Sequence, residues 1–481
     1  MSEHITAIPQ NGLPEDEVFR QMDSYRVGDA DWRQAKTWSL VYHYSDEHTD
    51  FLKRAYGKFF TENVLNPMAF KSLKRMETEV VKMCASLFNG GPDTVGTLTS
   101  GGSESLFLAV KSARDRARKL RPLVRKPEML APESAHVALE KACHYLGVKY
   151  VAIPLAEDKR VDMEALKKRI NRNTILVIGS APQYPHGVID PIAEMGEICA
   201  AKDIPLHVDS CIGGFVLPFM EQIGRPVPLF DFRVKGVTSL SADLHKYGYT
   251  AKGCSVMLYR DMSYLKYQFF VSSIWPGGLF GSPSVPGTRP GGSIAAAWAA
   301  LNKIGMKGYQ ENVRKAMEVT DRLIAGIEAI PELKIISKPA MTLVAYVSRD
   351  PKISIFAIGD QLAAKGWFID RQQRPASLHC TVTAHHATVL EQYLSDLRTA
   401  VAHVKAHPEL ADQGEAAMYG MAAKIPMRGL VNVQIQKVME KMYSGKDQPI
   451  TLDDPSSDTD ETGGPTAPKR RGWRRLIPWS A

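Results

Sequence analysis

Between residues 130 and 260 the chain alternates short apolar runs with stretches of helical period. The runs 148–153, 175–180, 206–208, 236–240 and 255–259 are rich in Val, Ile and Leu and too short for helices. Runs of this kind predict strands buried on both faces. Segments 134–146, 163–170 and 192–202 repeat apolar residues at helical spacing and predict crossover helices. Leu73, Met76, Val80, Met83, Cys84 and Leu87 share one helical face over 73–88, and 106–120 has the same period. Alternation of strand and helix predicts an α/β fold built on a mostly parallel sheet. Ligands bind at the carboxyl ends of the strands in such sheets.

Outside that region the pattern changes. Residues up to about 30 are polar and turn-rich, an arm; 32–60 is aromatic and dotted with charge; 63–71 reads as a loop. Helices are expected at 294–302 and 309–330, strands at 333–337 and 342–348, and helices at 358–365 and 388–404. The expected organisation is an N-terminal segment 1–72, a large domain 73–308, a smaller C-terminal α+β domain 309–445, and a disordered acidic linker and basic tail 446–481. Segment 267–288 carries no charge and is long enough to span a membrane. Pro276, Pro283 and Pro286 argue instead for a folded loop beside the active site.

The chemistry concentrates at Ser241–Tyr249. A His245-Lys246 step after an apolar run suits a Schiff-base lysine, although an ordinary exposed pair looks the same in isolation. A Schiff-base lysine needs a neutral amine, through desolvation or neighbouring positive charge, and His245 and Lys252 are candidates for that charge. The Gly/Ser loop 99–105 opens a helix, which offers N–H groups to an anion or simply forms a cap at Ser103. Gly291-Gly292 opens another helix in the same way. Asp209 ends a strand, as a turn-forming cap or as the carboxylate that keeps a pyridine ring protonated. His136 starts a helix, where it can stack on a flat ring or cap.

Composition narrows the classes. Sixty Lys+Arg against 52 Asp+Glu give a net charge of +8, which suits an anionic substrate but makes no nucleic-acid footprint. Six cysteines without a CxxC pair are expected to be buried thiols in a reducing compartment. Met1–Gln10 lacks an apolar segment, so a cytoplasmic protein is expected. His385-His386 has no partner at metal-ligand spacing and reads as a solvated pair, with no metal site. In the tail, Lys469, Arg470, Arg471, Arg474 and Arg475 lie beside Trp473 and Trp479, behind five acids in Asp453–Glu461. That pattern fits plain disorder or peripheral contact with anionic lipid.

Several blocks together resemble the sphingosine-1-phosphate lyases, of the pyridoxal-phosphate-dependent (group II) decarboxylase family. They are Thr99–Glu104, Ala131–His136, Pro182–Pro191, His207–Gly214, Phe232–Tyr249 and Arg289–Gly292, with Ala417–Met421 near the end. The resemblance runs from about Val41 to about Met442. It implies an aspartate-aminotransferase-like fold, pyridoxal 5'-phosphate as cofactor, and retro-aldol cleavage of a phosphorylated sphingoid base. It implies that Lys246 carries the cofactor, Asp209 pairs with its ring nitrogen, His136 stacks on one ring face and Cys211 packs on the other. Gly102, Ser103 and His245 are expected to hold the cofactor phosphate. Gly292 is expected to reach that phosphate from a second subunit, which implies a homodimer. Tyr184 and Lys252 match the family's substrate-side residues and are candidates for proton transfer, Lys252 also for the substrate phosphate. Asn66 stands where the family usually has histidine at the substrate entrance, and Ser103 where it has threonine. The membrane-spanning N-terminal segment of eukaryotic relatives is not expected here. Two other readings remain open: an amino-acid decarboxylase on the same scaffold, and a non-catalytic binding protein that keeps the fold.

Overall fold

The computed structural model describes residues 7–424 and 428–444. Residues through Ala423 form one compact unit; helix Arg428–Tyr443 lies in a second. The basic segment Lys469–Ala481, expected to be disordered or to touch lipid, lies outside the described residues.

A seven-stranded sheet organises the first unit. Its strands are β1 (Val95–Thr99), β2 (Glu128–Pro132), β3 (Lys149–Ile153), β4 (Thr174–Ser180), β5 (Leu206–Asp209), β6 (Val237–Ala242) and β7 (Ser255–Tyr259), in the order β1-β7-β6-β5-β4-β2-β3. β2 to β6 pair in parallel, and β7 runs antiparallel between β1 and β6. The expected mostly parallel α/β sheet is therefore present. Every residue of β2, β4, β5, β6 and β7 is buried, because helices cover both faces. β1 and β2 escape prediction: Gly96 and two threonines dilute the first, and Glu128 and Pro132 flank the second.

The helices are α1 (Glu15–Ser24), α2 (Asp46–Gly57), α3 (Lys71–Leu87), α4 (Gly102–Leu120), α5 (Ala138–Leu146), α6 (Met163–Arg169), α7 (Ile192–Ala201), α8 (Leu217–Gln222), α9 (Met262–Leu265) and α10 (Gly291–Glu328). α1 and α2 lie where an arm and an aromatic stretch are expected. α1 buries none of its residues, so no apolar face marks it in the sequence. The two helices expected after 290 are one stretch, broken at Gly305, whose φ of 62° no ordinary helical residue adopts. Segment 267–288 forms a small exposed hairpin, β8 (Phe270–Ser272) with β9 (Phe280–Ser282). Among the described residues no helix is long and apolar enough to cross a membrane.

A second, antiparallel sheet follows, in the order β10 (Leu333–Ile335), β11 (Leu343–Ser348), β13 (Ala376–Thr381), β12 (Asp370–Gln373). α11 (Ile355–Ala363) and α12 (Leu390–Ala406) bury their apolar residues in the same core. The N-terminal segment crosses to this sheet. Trp38 N–H donates to Phe368 O at 2.9 Å, and Thr381 N–H donates to Trp38 O. Trp38 is fully buried and stacks on His386 with ring centroids 4.2 Å apart. His386 is therefore not the solvated residue expected. Its ring nitrogens bond Thr37 O and the Thr383 N–H, and burial pushes it down to about 4.

One buried ion pair seats the end of β1. Arg289 reaches Glu77 of α3 at 2.5 Å, while Glu77 accepts the Leu98 N–H and Arg289 donates to the Leu98 carbonyl. Removing one member of such a pair strands the other charge. Glu77→Ala should cost about 3 kcal/mol in urea unfolding, and joining it to Arg289→Met should recover much of that loss. A single variant as stable as the wild type would show that the pair contributes nothing.

Candidate active site

β1, β4, β5 and β6 all end on one edge of the seven-stranded sheet, and a cavity of about 510 Å3 opens there. Gly102, Ser103, His136, Tyr184, Asp209, Cys211, His245, Lys246 and Lys252 all line it. Two expected residues do not. Asn66 closes its own turn by accepting the Met68 N–H at 2.9 Å. Gly292 sits at the start of α10 with no room for a side chain, since a Cβ would lie 2.6 Å from the Tyr56 ring.

Lys246 follows β6 by one turn. Its Nζ lies 2.8 Å from Asp243 Oδ2, an acid that no motif in the sequence singles out. Burial lowers the lysine's proton affinity, but the Asp243 carboxylate, with Tyr42 and Cys211, outweighs it and the net shift is upward. Desolvation thus acts on Lys246 as expected, but the charged neighbour that counts most is the Asp243 carboxylate and not a cation. Asp243 responds in kind. Burial raises its carboxyl, yet Lys246, His245 and the Ser255 hydroxyl at 2.6 Å bring it below its usual value. His245 is pushed down, first by burial and then by Lys252 and Lys246 against Asp243. Its Nδ1 accepts the Cys254 N–H at 3.2 Å.

The residues present fit pyridoxal phosphate. The N-cap of α4 is Gly101, with no side-chain cap, and not Ser103; Gly101, Gly102 and Ser103 line the cavity, so the leading N–H groups of the helix offer an anion cradle there. The cradle exists because Gly102 has no side chain. A Cβ there would lie 2.9 Å from Cys211 Sγ and 3.0 Å from the Asp243 carboxylate. The amine of Lys246, the carboxylate of Asp209 and the ring of His136 complete the donor set on the same walls. Asp209 accepts the Cys211 N–H at 3.0 Å, which orients its carboxylate. His136 Nδ1 accepts the Ala138 N–H at 3.2 Å, so it caps α5 and faces the cavity at once. Cys211 is buried and pushed up, by desolvation and then by Asp209 and Asp243, so it remains a thiol.

The remaining wall comes from segments that carry no motif. Ser39, Leu40 and Tyr42 line the cavity from the N-terminal segment, and Thr381 from β13. Lys252 Nζ donates to the Leu40 and His245 carbonyls at 2.9 and 3.4 Å and lies 5.0 Å from the Tyr42 ring centroid. Burial, and then Lys246, lower its proton affinity. Tyr184 donates a hydrogen bond to Asp370 of β12. A long-range pairing of this sort leaves no trace in local sequence.

Asp243→Asn should release the proton of Lys246. Each pH unit by which the amine falls gives tenfold more free amine at neutral pH. The purified apoprotein should therefore take up pyridoxal phosphate faster, by on the order of tenfold, followed through visible absorbance. Unchanged or slower uptake would show that Asp243 does not govern the lysine's charge.

Residues 48–349 match the family model described as the pyridoxal-dependent decarboxylase conserved domain. The sphingosine-1-phosphate lyase of Oryza sativa subsp. japonica is 43% identical over 443 residues, covering 90% of this chain and 81% of that protein. Sphingosine-1-phosphate lyase 1 of Rattus norvegicus is 42% identical over 445 residues, covering 92% and 78%. The solved sphingosine-1-phosphate lyase of Burkholderia pseudomallei superposes with a TM-score of 0.81 at 36% identity, covering 85% of this chain and 95% of that one. At this identity and coverage the chain belongs to the sphingosine-1-phosphate lyase family of pyridoxal-phosphate-dependent enzymes.

Proposed function

We propose that this chain cleaves phosphorylated sphingoid bases between C2 and C3, in a retro-aldol reaction that gives a long-chain aldehyde and phosphoethanolamine. One observation carries the reading beyond the family assignment: the cation of Lys252 on the wall that also holds Lys246. Its hydrogen bonds go to two carbonyl oxygens, which leave its charge free for an anionic substrate. A partly buried ammonium of this kind suits a phosphate as a point charge.

Pyridoxal phosphate, when bound, supplies the carbonyl for Schiff-base chemistry and the electron sink for bond cleavage. The chain's own residues do the rest. Lys246 would hold the cofactor covalently through its amine. Asp209 would keep the ring nitrogen protonated. His136 and Cys211 would pack against the ring. Gly102, Ser103 and His245 would hold the cofactor phosphate at the start of α4. Tyr184 and Lys252 stand on the substrate side, where they orient the phosphate and move the hydroxyl proton.

Gly292 opens α10 outside its own chain's cavity, so its place in the scheme is the site of a second copy. The active unit is then a homodimer, with Asn66 at the entrance that the two copies share. Peripheral membrane contact through Lys469–Ala481 belongs to the same reading, since the substrate is a lipid.

Lys246→Ala should abolish aldehyde release, because it removes the chemical route, and should lower the thermal unfolding midpoint by stranding the buried Asp243 carboxylate, while the variant still folds. Normal turnover by this variant would sink the assignment. Lys252→Ala should lose on the order of 2 kcal/mol in kcat/KM for the phosphorylated base. An equal loss with the unphosphorylated base would contradict a phosphate role. Comparable turnover of acidic or aromatic amino acids by the wild type would favour the decarboxylase reading. Full-length protein should co-sediment with anionic vesicles at low salt more than a chain ending at Lys446, and equal binding would leave the tail without a membrane role.

A further inference from the structure

The lyase reaction needs a base for the substrate hydroxyl, and Tyr184 is a cavity-wall hydroxyl that donates to a carboxylate, Asp370. A phenol acts as a base only if it is ionised or if something removes its proton as it accepts another. Tyr184 does not ionise in this setting. Burial, and then the Asp370 carboxylate that its hydroxyl bonds, push it far above the ordinary tyrosine range.

Asp370 is the first residue of β12 and does not itself line the cavity. It reaches the cavity through two wall residues. Oδ2 accepts the Tyr184 hydroxyl, and Oδ1 accepts the Ser39 hydroxyl at 2.9 Å. The ring of Tyr184 is seated against His379, with centroids 4.3 Å apart, and His379 is the cross-strand partner of Asp370. The titratable groups around Asp370 are few. His379 on β13 is fully buried and pushed down to about 3, so it is neutral. Cys380 beside it is pushed up by burial. Tyr42, from the N-terminal segment, is raised to about 12, by burial first. Arg371, next on β12, is held away by Asp360 and Glu415, at 2.6 and 2.7 Å. Asp370 is left as the acid–base group behind Tyr184.

We propose that Asp370 is a positioning residue for the proton transfer, forming with Tyr184 a two-step relay between the substrate hydroxyl and a carboxylate outside the cavity. The relay rests on the lyase reading and specifies how its base works. The substrate O–H bond breaks as a new O–H bond forms on Tyr184 Oη. In the same movement the old Tyr184 O–H bond breaks and its proton goes to Asp370 Oδ2. The electron pair of the substrate O–H stays on oxygen, ready to close the aldehyde carbonyl. The negative charge passes from Asp370 to the substrate, and Tyr184 is neutral before and after. Once the aldehyde has left, the proton held on Asp370 passes back through Tyr184 to the C2 carbon, which keeps the electron pair of the broken C2–C3 bond, and Asp370 regains its charge.

The test uses the holoenzyme for kinetics and the apoprotein for titration. Tyr184→Phe and Asp370→Asn should each lower kcat for the phosphorylated base on the order of 100-fold, the usual reach of general acid–base catalysis. KM should stay within roughly threefold, and the double variant should lose little more than either single one, because the two groups act as a unit. Asp370→Glu should restore part of kcat. All variants should bind pyridoxal phosphate in full, with unchanged visible spectra and thermal midpoints close to that of the wild type. Tyrosine ionisation in the apoprotein, with Tyr184→Phe as the reference, should show the Tyr184 phenol titrating lower in Asp370→Asn. A merely structural carboxylate would move stability or KM and leave kcat alone. Wild-type-like kcat in Asp370→Asn, losses that add in the double variant, or an unmoved Tyr184 titration would each overturn the relay while leaving the lyase intact. A wild type that releases no aldehyde would overturn the lyase reading and the relay with it.

Discussion

The site is built around the ion pair of Lys246 and Asp243. An ammonium taken out of water needs a nearby counter-charge, and the cost of burying both is offset only when hydrogen bonds satisfy what the pair leaves over. Here the arrangement is complete. Asp243 Oδ2 takes Lys246 at 2.8 Å, Oδ1 takes the Ser255 hydroxyl, and the Asp243 N–H donates to the Cys211 carbonyl at 3.1 Å. The pair thereby ties together the ends of β5 and β6 and the start of β7. It also dictates the residue at 102, because any Cβ there would press on the Asp243 carboxylate. The place of Lys246 and the bare backbone at Gly102 are thus both tied to one electrostatic constraint.

The parallel sheet supplies the cofactor side of the cavity, and the antiparallel sheet closes it. Trp38, buried against Trp367, His386 and Tyr393, pins the N-terminal segment to the second sheet. From there Ser39, Leu40 and Tyr42 extend over the Lys246 pocket. Tyr247 spans the same gap from the other side. Its ring meets Tyr42 at 5.0 Å, and its hydroxyl bonds both Thr342 and the Val382 carbonyl. These walls leave Lys246 only partly exposed, and charge interactions strengthen as water is withdrawn from around them.

Local sequence was informative wherever a physical pattern was local. Buried parallel strands must be apolar throughout, so β4, β5 and β7 stood out as short Val/Ile/Leu runs. The carboxyl ends expected of such strands then pointed to Asp209 and His245-Lys246. β12 left no such mark, because Asp-Arg-Gln-Gln is polar and only partly buried. α1 left none either, since an arm that buries nothing needs no apolar face. His385-His386 shows the limit most plainly. Two adjacent histidines look alike in sequence, yet His386 is buried under Trp38 while its neighbour is only half-buried, against the His43 ring and the Arg33 carbonyl.

By itself, then, the sequence determined the α/β architecture and pointed to residues that share one cavity wall, Lys246, Asp209 and His136 among them, because these depend on periodicity and on motifs continuous in the chain. Tertiary structure alone decided the charge state of Lys246, the neutrality of Tyr184 and the place of Asp370. Each of these depends on a carboxylate's distance and on the loss of water around it. Coulomb energy and desolvation are set by position in space, and Asp370 is 186 residues from the tyrosine it holds.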